Sequence, residues 1–73
     1  MAVFHLECSV HRRCMSGISV ASEQIHAPTE ADAIADSEAW FSQLLAGRSG
    51  VAILRDEAGK VVWTARRMEP VTA

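Results

Sequence analysis

The sequence predicts an α+β domain: a four-stranded antiparallel sheet built from two hairpins, with one amphipathic helix packed on one face, in the order strand-strand-helix-strand-strand. Three observations predict it. Residues 3–10 alternate between apolar and polar positions, the period of a half-buried strand. A single segment, Thr29 to about Ala46, places apolar residues at three- and four-residue spacings between a capping residue and a glycine. The turn Asp56-Glu57-Ala58-Gly59 then separates two short apolar runs.

In the first strand Phe4, Leu6, Cys8 and Val10 point one way, and Val3, His5, Glu7 and Ser9 the other. Residues 11–17 form a polar connection ending in Gly17. Residues 18–26 read as the second strand, with Ile18 and Val20 on one face and Ile25 on the other. A bulge near Ser22 would bring all three to the same face. Pro28 ends the strand, and Thr29 is suited to an N-cap because its hydroxyl can accept from the amide of Asp32. Glu30 and Asp32 fall in the first turn, where negative charge suits the helix dipole. The apolar stripe comprises Ala33, Ile34, Phe41, Leu44 and Leu45, with Trp40 at its margin; Asp32, Asp36, Ala39 and Gln43 make the opposite face. Gly47 is expected as the left-handed C-cap.

After the link Arg48-Ser49-Gly50, residues 51–55 form the third strand and residues 60–67 the fourth. Gly59 suits the turn position that needs positive φ. Residues 1–68 are expected as one domain and residues 69–73 as a frayed tail.

One helix can cover one face of such a sheet and no more. The last two strands are apolar on both faces: Val51, Ile53, Val61 and Trp63 on one, Ala52, Leu54 and Val62 on the other. Strands of that kind are normally buried on both faces. The face turned away from the helix is expected to carry Val3, Ala21, Ala52, Leu54 and Val62. Trp40 reads either as a core residue at the sheet edge or as an interface anchor.

The chain resembles a family of small uncharacterised bacterial proteins with the same strand-helix order. The matching elements are Phe4-His5-Leu6, the alanine-rich helix with Ala33 and Leu45, and Asp56-Glu57-Ala58-Gly59-Lys60-Val61-Val62. The family pattern has an acidic Asp-Gly turn in the first hairpin, where this chain has His11-Arg12-Arg13-Cys14. The resemblance implies the fold and carries no activity.

Composition narrows the function. With 73 residues the chain is one domain at most. A domain this small buries only about 60% of the surface its unfolded chain exposes, a physical argument for an associating partner. The apolar content of 49% and charged content of 22% fit a folded protein. No apolar run approaches the ~20 residues of a membrane span, and Met1-Ala2-Val3-Phe4-His5 lacks the features of a signal peptide. A soluble cytoplasmic protein without a membrane partner is expected, with Cys8 and Cys14 reduced. The net charge of −2 gives no general attraction to nucleic acid. The four helix acids Glu30, Asp32, Asp36 and Glu38 contrast with arginines that all lie outside the helix.

The series His5, Cys8, His11 and Cys14, with His26 further on, contains only zinc-ligand residue types. In a strand, however, His5 and Cys8 point to opposite faces, so the plainer reading is a core Cys8 among exposed histidines. Cys14 beside Arg12 and Arg13 has the charge environment of a reactive thiol, but no helix N-terminus follows it. Arg12, Arg13, Arg55, Arg66 and Arg67 could track phosphates, or could simply discourage aggregation at a sheet edge. Asp32 and Asp36, four residues apart, read as a solvated face rather than an acid–base pair. No glycine-rich phosphate loop, catalytic triad or cofactor motif is present. The expectation is therefore a non-enzymatic module without a cofactor. It would be a homodimer or bind a protein through the open sheet face or an edge strand, with nucleic-acid binding as the alternative and a zinc- or redox-responsive module third.

Overall fold

The computed structural model describes residues 2–11 and 17–68. The elements are β1 (Ala2–His11), β2 (Ile18–Ala27), α1 (Glu30–Leu45), β3 (Gly50–Arg55) and β4 (Val61–Arg67). The sheet is antiparallel and four-stranded, in the order β2-β1-β3-β4. The two hairpins thus abut through β1 and β3, and β2 and β4 are the edges. Among the described residues no helix is long and apolar enough to cross a membrane.

The alternation of β1 sets the core. Phe4, Leu6, Cys8 and Val10 are all buried, and each brings its cross-strand partners onto the same face. Leu6 faces Leu54, Cys8 faces Ala52, and Val10 faces Gly50. On the other flank Phe4 faces Ile25 and Ala2 faces Ala27. The helix closes this layer with Ala33, Ser37, Phe41 and Leu45. Burying a side chain of the size of Phe41 stabilises the fold by about 2–3 kcal/mol.

Local chemistry sets the helix limits. Thr29, extended at φ −136° and ψ 163°, accepts at Oγ1 from the Asp32 amide at 3.2 Å, and its hydroxyl donates to Asp32 Oδ2 at 2.9 Å. At the other end the left-handed residue is Ala46, at φ 47° and ψ 44°, followed by Gly47 at φ 84°. Gly47 is therefore not the first residue to turn left-handed; the reversal starts one residue earlier. Arg48 completes the cap, its guanidinium donating to the carbonyls of Leu45 at 3.0 Å and Leu44 at 3.1 Å.

Three expectations need correction. The first hairpin has no bulge at Ser22: its pairing runs unbroken from Ala2 opposite Ala27 to His11 opposite Ile18. Ile18 and Val20 accordingly sit on the face away from the helix, 54% and 63% exposed. The slip in register lies instead in the second hairpin. Leu54 pairs with Trp63 and Arg55 with Val61, which leaves Val62 as the extra residue. That slip puts Trp63 on the helix side with Leu54, and Val62 and Trp63 both pack half-buried against the core. Finally, Ala52 and Leu54 do not face outward. Both are 0% exposed, because pairing with Cys8 and Leu6 commits them to the helix side. Ala21, opposite Cys8, joins that side too.

Candidate interaction surface

The sheet face turned away from α1 has no cover within the described chain. Cross-strand pairing arranges it in rows. One row holds Val61, Arg55, His5 and Gln24; the next holds Thr64, Ile53, Glu7 and Ser22; the third holds Arg66, Val51, Ser9 and Val20. Beyond the third row His11 faces Ile18, and beyond the first Val3 faces His26.

The face is polar at one end and apolar at the other. Val20 and Val51 flank the half-buried Ser9, about 10 Å apart across two strand spacings. Ile18 adjoins Val20 along β2, and Ile53 adjoins Val51 along β3. Val51 is 36% exposed, so together with Ile18 and Val20 it makes an apolar patch open to solvent. Single exposed apolar residues need no explanation; here three share one face, with Val51 set apart from the Ile18–Val20 pair by Ser9. At the polar end His5, Glu7, Ser22, Gln24 and Arg55 line a shallow depression.

The residues expected at an interface divide between the two faces. Val3 lies on the open face, opposite His26. Ala52 and Leu54 are under the helix, Val62 packs half-buried against the core, and Trp40 is half-buried on the helix flank beside Gln43 and Leu44. Ile18, Val20 and Val51 occupy the open face instead. The signal for the first two was already in the sequence, since uninterrupted alternation through β2 separates Ile18 and Val20 from Ile25 and Ala27.

The arginines also divide. Arg55 and Arg66 share the open face, while Arg67 lies on the helix side, its guanidinium 3.8 Å from Glu38 Oε1. Arg12, Arg13 and Cys14 lie outside the described residues. His5 and Cys8 project from opposite faces of β1. His5 and His11 share the open face but sit six residues apart, about 20 Å along a strand. Among the described residues no three histidine, cysteine or carboxylate side chains are grouped to hold a metal. Burial, reinforced by the charge of Glu7, pushes the Cys8 thiol from 9.0 up to about 11, the opposite of an activated nucleophile. Asp32 and Asp36 are exposed on the outer face of α1.

The surface can thus offer apolar contact, flanked by His11 and Arg66 at one end and by polar groups of both signs at the other. No family model, curated protein or solved structure matches this chain.

Proposed function

We propose that the protein is a small non-enzymatic interaction module that binds a protein partner through the sheet face opposite its helix. The observation carrying this reading is the patch of Ile18, Val20 and Val51, solvent-exposed on a sheet whose single helix lies on the other side. The free buried thiol of Cys8 fits a reducing, cytoplasmic setting. Phosphate tracking is less well supported. Of the arginines on β3 and β4 only Arg55 and Arg66 share the face, Glu7 lies in the row between them, and Phe4 and Trp63 belong to the helix side, where they cannot stack on bases.

The test is association of the wild type and of a Val20→Lys/Val51→Lys variant, measured by analytical ultracentrifugation alone and with any candidate partner. Both positions already face solvent, so the variant should keep its far-UV circular dichroism. Its association should fall sharply and show little dependence on salt before the substitution. Association unchanged by the double substitution would overturn the reading.

A further inference from the structure

We infer that the partner of the open face is an acidic, apolar segment of another protein, which sets a carboxylate beside Arg66 and apolar side chains on Val51 and Met68. The inference rests on the interaction reading and adds to it the chemistry of the partner.

The molecule carries its charges unequally at its two ends. At one end of the sheet β1 and β4 finish, β2 and β3 begin, and α1 stops. That end holds His11, Arg48, Arg66 and Arg67. The opposite end holds Glu30 and Asp32 in the first turn of α1, and Asp56 and Glu57 in the last hairpin turn, against Arg55 and Lys60. Outside the described residues the sequence adds Arg12 and Arg13 after His11, and Glu69 after Met68.

Two of the four cationic side chains are already engaged. Arg48 donates to the carbonyls of Leu44 and Leu45, and Arg67 lies near Glu38 on the helix side. Arg66 is exposed on the open face, and the rest of its row, Val51, Ser9 and Val20, holds no carboxylate. A shallow depression of about 200 Å³ opens there, with His11, Gly50, Val51, Arg66 and Met68 in its lining. Met68 is 77% exposed. The depression thus joins apolar surface to a guanidinium and an imidazole, and it continues the open face at its apolar end.

That combination selects the occupant. A guanidinium can hold a carboxylate by two parallel hydrogen bonds, and a flexible thioether adapts to apolar side chains of varied shape. A nucleic acid would set phosphates against Val51 and Met68, and among the described residues no aromatic side chain of this face is there to stack a base. A second copy of the chain lacks the pattern: Asp32 and Asp36 have Ala39 and Gln43 beside them on the outer face of α1, and Asp56 and Glu57 have Ala58 and Gly59. Neither pair of acids adjoins a large apolar side chain. Exposed charge pairs contribute little affinity and chiefly decide which partner is accepted. The apolar contact therefore keeps its weak dependence on salt, and the signature of Arg66 is discrimination between partners.

The test is fluorescence anisotropy with three labelled octapeptides, in which valine alternates with glutamate, with serine or with lysine. The glutamate peptide should bind about fivefold more tightly than the serine peptide, and the lysine peptide more weakly than both. Arg66→Glu, at an exposed position, should reverse the order of the glutamate and lysine peptides, with folding checked by circular dichroism. Arg66→Gln should bring the glutamate and serine peptides to about equal affinity. No binding of the glutamate peptide at millimolar concentration overturns the inference. So does an order of affinities that both Arg66 variants leave unchanged, and so does a thymidine octanucleotide that binds more tightly than the glutamate peptide. A serine peptide that binds as well as the glutamate peptide, and is lost in Val20→Ser/Val51→Ser, also overturns it but upholds the reading of the open face.

Discussion

Cys8 is fully buried, with Ala21 beside it on β2 and Ala52 beside it on β3. Two small neighbours make room for the sulfur, and burial keeps it protonated. Its thiol titrates at about 11 in the folded chain against 9.0 in an unfolded one, so the folded state holds the proton more tightly. The stabilisation is fully present below pH 9 and is lost as the pH rises toward 11. Across that interval the wild type should lose on the order of 2 kcal/mol relative to Cys8→Ala, measured by urea unfolding at each pH. Cys8 should also resist iodoacetamide in the native protein and react once the chain is unfolded. Rapid native alkylation at Cys8 would contradict its placement. Ser37 shows how a polar residue enters the same layer: its hydroxyl donates to the Ala33 carbonyl at 2.7 Å, so it is not buried unpaired.

The elements depend on a few backbone positions. Ala46 holds a left-handed conformation that an L-residue adopts at a cost of roughly 1–2 kcal/mol. Ala46→Gly should therefore raise the melting temperature, with a gain of up to about 1 kcal/mol after the glycine's greater entropy in the unfolded chain is subtracted. Gly50 is constrained differently. A Cβ there would lie 2.5 Å from Leu45 Cδ2 and 2.7 Å from the Ser9 carbonyl oxygen. Backbone cannot yield as a side chain can, so Gly50→Ala should destabilise by about 1–3 kcal/mol in thermal or urea unfolding. Most of this scale was legible in the sequence. Thr29 and Asp32 announce the helix start, Gly59 the last turn, and the alternation from Val3 to Val10 the first strand, because each depends on chemistry within a few residues. The Ala46 reversal was not legible, since Gly47 competes for the same role one residue later. The constraint on Gly50 was hidden for another reason: it comes from Leu45 and Ser9, which only the packed fold brings near.

At the scale of the whole molecule, the deciding quantity is which face each residue of β3 takes. Residues 51–54 are apolar at both parities, so local pattern cannot choose between Val51 with Ile53 and Ala52 with Leu54. The choice is made by pairing with β1 and by volume. Gly50 lies where the helix brings Phe41 and Leu45 down on the sheet, and Leu54 lies between its cross-strand partners Leu6 and Trp63. The candidate surface was legible only as a deficit, one helix for two faces; its membership waited on that register. Two substitutions three residues apart on β3 should therefore behave in opposite ways. Leu54 is 0% exposed, and Leu54→Lys would bury an ammonium with no partner. A loss of more than about 4 kcal/mol is expected, a large part of the roughly 5–15 kcal/mol that holds a domain together. Its urea-unfolding midpoint should lie far below that of the wild type. Val51 is 36% exposed, and Val51→Lys directs its charge to solvent, so stability should change by about 0.5–1 kcal/mol. The same substitution removes apolar area from the open face, so association through that face should weaken while the fold persists. A Leu54→Lys protein as stable as the wild type, together with a strongly destabilised Val51→Lys one, would mean that β3 carries the opposite register, and the open face would then have to be redrawn around Ala52 and Leu54.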